Sequence, residues 1–293
     1  MSMPEKAFSG SYVSDGYDKR NEGYDWIGVI VDEVSMNAIE IKVRSRADRK
    51  KPTCTFDTKA YKKEEGLYST SVNGKEIFFK FTSDSLKIYA GNLADQDALA
   101  FYCYGGGNFA GGYRKISGQL DQEQVDKTLF SAVLSLQGLS FNISAKNENG
   151  KNMLTIFPFG GKMDPEEYKL EYKGEITGTG IEDMNADGYP EIGVFTKEAE
   201  GLQKGHVYSY SVYGGKSMGQ IYLPPIENNA ENNQGYNGHD EFQMVENYLI
   251  QRFPLFSGTG PEAMPTGKTR QVGYQLVDGE ASRVFKAIRA NEY

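Results

Sequence analysis

The strongest constraint on the fold is a two-residue rhythm. Short stretches alternate apolar and polar side chains, and turn-forming residues interrupt them about every ten positions. Residues 39–43 read Ile-Glu-Ile-Lys-Val, residues 77–81 Ile-Phe-Phe-Lys-Phe and residues 86–89 Leu-Lys-Ile-Tyr, with Asn73-Gly74 as a hairpin turn before the second. A side chain on every second residue faces the same side of a strand, so this rhythm predicts half-buried antiparallel strands. A second series follows in residues 139–145, 152–157, 175–181, 192–196, 206–212, 243–253 and 271–276. Twenty Tyr, 16 Phe and 34 Gly suit pleated surfaces joined by tight turns. The expected class is all-β.

Between the two series lies Asp-Gln-Glu-Gln-Val-Asp-Lys at residues 121–127, polar and with room for one or two helical turns. Length also favours two domains. We therefore expect an N-terminal antiparallel β-barrel or sandwich over residues 1–120, a linker at 121–128, and a second β domain over 129–293. The Asn- and Gly-rich stretch 227–238 reads as a surface loop, with Tyr236 and Pro224-Pro225 as anchors.

Charge divides unevenly. Residues 1–120 carry 17 Lys and Arg against 16 Asp and Glu, and residues 121–293 carry 15 against 24. An acidic surface repels nucleic acid and steers basic proteins toward it, though ordinary solubility accounts for a charge of this size as well. The densest basic run, Lys42, Arg44, Arg46, Arg49, Lys50 and Lys51, begins with three residues on one strand face. It reads as a solvated strand face or as a contact for an anionic partner such as a polyanionic glycan. The longest apolar runs, such as residues 26–31, fall far short of a transmembrane segment, and no signal peptide is visible near Met1.

Few residues point to catalysis. Nucleophilic chemistry assisted by histidine would have to use His206 or His239, and neither sits in a His-Glu-x-x-His pattern. Nothing marks out a hydrolytic carboxylate pair. Non-catalytic binding is the expectation. Asp183, Asn185, Asp187 and Glu191, with Gly188 sixth in the run, match the first half of a Ca²⁺ loop, but Val194 occupies the twelfth position where a bidentate Glu belongs. The same residues suit a hairpin connection in which Asp and Asn bond their own backbone. Cys54 and Cys103, each in a strand-like segment, are expected to form a disulfide if the compartment is oxidising.

Several segments of the second half occur together in the family of periplasmic inhibitors of invertebrate-type (i-type) lysozyme. They are residues 136–144 (Leu-Gln-Gly-Leu-Ser-Phe-Asn-Ile-Ser), the 183–191 turn, residues 220–225 (Gln-Ile-Tyr-Leu-Pro-Pro), 235–242 (Gly-Tyr-Asn-Gly-His-Asp-Glu-Phe), 251–254 (Gln-Arg-Phe-Pro) and 265–271 (Pro-Thr-Gly-Lys-Thr-Arg-Gln). Residues 129–293 therefore resemble that family. The resemblance implies a lysozyme-inhibitor-like β-sandwich, a periplasmic or extracellular location, and a partner that is a lysozyme-like enzyme or, if inhibition has been lost, a glycan or the cell envelope. It also implies a partner-binding loop between the strands at 192–196 and 206–212. Where the family carries Ser and Tyr three residues apart, this chain has Gly201-Leu202-Gln203-Lys204. The N-terminal half is assigned to no family.

Overall fold

The computed structural model describes residues 7–47, 53–72, 74–164 and 166–293. Asn73 and the basic residues Arg49, Lys50 and Lys51 lie outside them. The chain is all-β and divides into two compact units, Met1–Ala132 and Val133–Tyr293.

In the first unit the strands are β1 (Gly10–Val13), β2 (Ile27–Ser35), β3 (Ala38–Ser45), β4 (Thr53–Cys54), β5 (Phe56–Glu64), β6 (Leu67–Val72), β7 (Lys75–Phe81), β8 (Ser85–Ala90), β9 (Cys103–Tyr104) and β10 (Gly111–Ile116). Eight of them close an antiparallel barrel in the order β1-β10-β8-β7-β6-β5-β3-β2, leaving no free edge. Alternation does its expected work: Ile39, Ile41 and Val43, then Ile77, Phe79 and Phe81, then Leu86 and Ile88 all point inward and are buried.

The remaining two strands, β4 and β9, pair only with each other and set Cys54 directly opposite Cys103. Their sulfurs are bonded at 2.06 Å. Residues 100–104 are not one strand, however. Ala98–Phe101 forms a single helical turn, because Leu99 and Ala98 must turn inward while Phe109 and Tyr102 pack on Phe56 (ring centroids 5.1 and 4.7 Å).

Residues 121–128 are packed on the barrel rather than strung free between domains. Leu120 and Val125 are buried with Val13, Tyr17 and Trp26. Asp121 accepts from Arg20 Nε at 2.8 Å, the backbone N–H of Asp121 donates to the Tyr17 hydroxyl, and Val125 bridges to Arg46. Val125 and the preceding Leu120 suffice to dock it, since its carboxylates find partners on the barrel surface.

Arg44 and Arg46 depart from the solvated-face reading. Both are buried, at 3% and 7% exposure. Arg44 pairs through both terminal nitrogens with Asp57 and donates from Nε to the Thr128 carbonyl at 2.9 Å. Arg46 donates to the carbonyls of Arg20 and Tyr24 at 3.0 and 2.7 Å.

The second unit is built from three successive four-stranded meanders. The first comprises β11 (Thr128–Leu136, which starts in the first unit), β12 (Leu139–Glu148), β13 (Lys151–Phe159) and β14 (Tyr168–Glu171). The second comprises β15 (Glu175–Glu182), β16 (Glu191–Lys197), β17 (Gly205–Tyr213) and β18 (Ser217–Ile221), and the third β19 (Glu241–Val245), β20 (Tyr248–Ser257), β21 (Met264–Asp278) and β22 (Arg283–Glu292). Residues 243–253, expected as one strand, turn at Glu246 (φ +53°) into the β19–β20 hairpin.

The middle sheet is covered on both faces. Every residue from Glu191 to Thr196 is buried, a pattern that a sheet exposed on one side cannot give. Phe195 and Val207 join the third sheet's Leu249, Phe253, Val272 and Phe285 in one apolar core. On its other face Tyr208 and Tyr210 meet Tyr172 and Tyr168, which flank and begin β14.

Candidate functional site

The hairpin loop between β16 and β17 is built from the backbone outward. Its base is closed by Glu198 N–H to the Lys204 carbonyl at 2.9 Å, and its turn by Gln203 N–H to the Glu200 carbonyl at 3.3 Å. Gln203 sits at φ +47° and Gly201 at φ +66°. A second segment, residues 236–240, straps it down. His239 N–H donates to the Leu202 carbonyl at 3.0 Å, Gln203 Oε1 lies 3.2 Å from His239 Nδ1, and Gly205 N–H donates to Asp240 at 3.0 Å. Gly238 lies so close that a Cβ there would stand 1.9 Å from the Leu202 carbonyl oxygen. Only glycine permits that approach.

Asp240, 2% exposed, is the anchor. Besides Gly205 it accepts from the Tyr236 hydroxyl at 2.8 Å and from Gln251 Nε2 at 2.6 Å, and Gln251 in turn accepts from the Tyr274 hydroxyl at 2.6 Å. Burial, reinforced by the Asp240 carboxylate, pushes the Tyr236 phenol far above its usual range, so it remains a donor at every physiological pH.

The four residues singled out in this loop therefore divide. Ala199, Glu200 and Gly201 are exposed, whereas Leu202, Gln203 and Lys204 turn partly into their own unit. Lys204 Nζ is paired with Glu227 Oε1 at 2.6 Å. That hydrogen bond raises the lysine above its ordinary value, and it outweighs burial to hold Glu227 below the usual carboxylate range. His206 Nε2 lies 2.9 Å from Glu198 Oε1 at the loop's base. Sequence reasoning placed the loop but missed its strap. The loop is the seven-residue connection 198–204 between strands in register, while its anchor Asp240 is 35 residues from Gly205.

The acidic turn is arranged quite differently from a ligand ring. Asp183 accepts from Asp187 N–H at 3.1 Å, from Gly188 N–H at 3.0 Å and from Gln137 Nε2 at 2.7 Å. Asn185 Oδ1 accepts from Asp187 N–H at 3.2 Å, and Asp187 Oδ1 accepts from Tyr189 N–H at 2.9 Å. These are the Asx-type bonds of a hairpin connection, with Gly188 at φ +86°. Glu191 turns inward, fully buried, to accept from Met184 N–H at 2.8 Å and Ser211 Oγ at 2.6 Å. Among the described residues no three His, Cys, Asp or Glu side chains converge to hold a metal ion. The cationic partner here is Arg283, from β22, which reaches Asp187 at 2.7 Å and Glu191 at 3.1 Å and lies 4.7 Å from the centre of the Tyr213 ring. No local pattern in the sequence links it to a turn about a hundred residues earlier.

Burial raises the Glu191 carboxyl above its ordinary value, against the lowering effects of Ser211, Met184 N–H and Arg283. The folded state thus binds this proton more tightly than the unfolded chain, and stability must fall as pH rises from about 4.5 toward the raised value. Glu191→Gln is expected to remove that fall. Urea titrations at a series of pH values should show the parent losing stability relative to the variant as the carboxyl ionises. A parent that instead gains relative stability with pH would show that the Arg283 pair dominates.

No protein-family model matches the chain, and no curated protein matches it.

Proposed function

We propose that this protein is a non-catalytic extracytoplasmic binding protein of the lysozyme-inhibitor type, presenting the β16–β17 loop to a lysozyme-like enzyme. The observation that carries the reading is the pre-ordered loop: its exposed tip, residues 199–201, stands on a base fixed by Asp240, His239 and Glu227. A loop fixed before contact loses little conformational entropy on binding, which is how short insertions into a cleft gain affinity. Because Lys204 is already paired, the tip meets its partner through Glu200 and main-chain groups. The Cys54–Cys103 bond supports an oxidising compartment. No helix is long and apolar enough to cross a membrane among the described residues.

A second reading, a glycan- or cell-envelope-binding module, is favoured by a different feature. Phe78 and Tyr89 stack at 5.4 Å and 15° on the outer wall of the barrel, with Lys87 beside Tyr89. A paired aromatic platform of this kind suits a sugar ring.

A binding and inhibition panel of invertebrate-, chicken- and goose-type lysozymes separates the two. We expect binding to at least one enzyme, weakened about tenfold by Glu200→Lys, since reversing a charge facing a basic enzyme costs both steering and contact. Absence of binding across the panel, together with peptidoglycan-fragment binding that Tyr89→Ala abolishes, would transfer the function to the barrel wall.

A further inference from the structure

The third sheet ends in β22, and its outer edge is only partly covered. Tyr222, just past β18, runs parallel to it: Tyr222 N–H donates to the Arg283 carbonyl at 3.0 Å and Phe285 N–H donates to the Tyr222 carbonyl at 2.9 Å. The next rung of such a ladder would join residue 224 to the carbonyl of Phe285 and the N–H of Ala287. Position 224 is proline, which has no N–H to give, and Pro225 follows it into a one-turn 3₁₀ helix, Ile226–Asn228. Among the described residues no backbone bond continues this ladder past Phe285.

What remains is a slot with the hydrogen-bonding chemistry of a missing strand. Main-chain groups alternate in direction along an antiparallel strand, so the N–H and C=O of Ala287 point the same way as the Phe285 N–H, outward from β21. They open into a groove of about 560 Å³, walled by Pro224, Pro225 and Asn229 on one side and by Val277, Phe285 and Lys286 on the other. Its walls are mainly apolar, and Lys286 is the one charged side chain lining it.

We propose that this groove binds an extended peptide segment of a partner protein, added to β22 as a further strand. The unpaired Phe285 carbonyl and the N–H and C=O of Ala287 specify an extended main chain, since only that presents donors and acceptors at strand spacing. The apolar walls specify small apolar side chains at alternate positions, and Lys286 specifies an acidic residue among them. This site is independent of the β16–β17 loop and stands whether or not that loop binds lysozyme.

The test uses the full chain and a fluorescein-labelled hexapeptide amide, Thr-Val-Glu-Val-Thr-Val. Fluorescence polarisation should show saturable binding below about 1 mM, the weak range suited to a short, unstructured peptide. Hydrogen exchange at the Ala287 amide should slow on addition of the peptide. A version N-methylated at alternate residues, unable to complete the ladder, should bind at least about tenfold more weakly, the worth of one or two main-chain hydrogen bonds. Lys286→Glu should weaken the parent peptide about two- to fivefold. Equal binding of parent and N-methylated peptides, or none below that concentration, overturns the proposal. So does a concentration-dependent dimer dispersed by Ala287→Pro, which would assign the edge to a second copy of this chain.

Discussion

Reducing the Cys54–Cys103 disulfide should destabilise the barrel unit by about 4 kcal/mol, the loop-closure value for a ring of this length. The bond is the only covalent tie between the strand that leaves β3 and the β8–β10 connection. Those two-residue strands, β4 and β9, are too short to pair durably on their own. Without it Tyr102 and Phe109 must hold on Phe56 by packing alone. The chain's one tryptophan, Trp26, is buried in the barrel unit, so its fluorescence reports that unit and not the other. Urea unfolding followed at Trp26 should show a midpoint lower by about 2 M in reductant, or in the Cys54→Ala/Cys103→Ala variant. A shift below about 0.5 M would mean that the packing of Tyr102 and Phe109 already fixes the connection.

The sequence made the strands legible because a buried face demands strict alternation: residues 39–43 and 139–145 obey it throughout, and 77–81 depart from it only at the outward Phe78. It failed where burial came from somewhere other than the strand's own sheet. Arg44 and Arg46 alternate with apolar residues as a solvated outer face would, yet the outer face of β3 lies beneath residues 125–128. Nothing local announces that cover. Residues 121–128 looked like a connector because seven of eight are polar or charged, whereas docking needed only Val125 and well-placed carboxylates.

The acidic turn shows the same limit. Its spacing is compatible both with an ion-binding loop and with an Asx-bonded hairpin, and the two differ in where the oxygens of Asp183, Asn185, Asp187 and above all Glu191 point. That direction was set by Ser211 and Arg283, residues on other strands. The strands that flank the β16–β17 hairpin were legible from periodicity, but which side chains of the connection remain free depended on Glu227, His239 and Asp240.

Cutting the Arg44–Asp57 pair on one side should cost about 3–5 kcal/mol, because either change leaves a buried charge without its counterion. Both side chains are almost fully buried, at 3% and 6% exposure. The pair also holds the chain that leaves the barrel: Arg44 Nε donates to the Thr128 carbonyl, and Asp57 Oδ2 accepts from Ser131 N–H at 3.0 Å. Arg44→Ala strands the Asp57 carboxylate along with the Thr128 carbonyl, and Asp57→Ala strands the guanidinium along with the Ser131 N–H. The double variant Arg44→Met/Asp57→Leu, which keeps the volume and removes both charges, should recover most of that loss, since well-packed apolar residues replace buried ion pairs at little net cost. Its residual deficit measures the hydrogen bonds to Thr128 and Ser131, about 1 kcal/mol each. Trp26 fluorescence in urea gives all three values. If the single variants each lose less than about 1 kcal/mol, water reaches the pair and it acts as a surface ion pair. If instead the double variant is as unstable as the singles, the strap formed by residues 125–131, rather than the charges, is what the barrel wall requires.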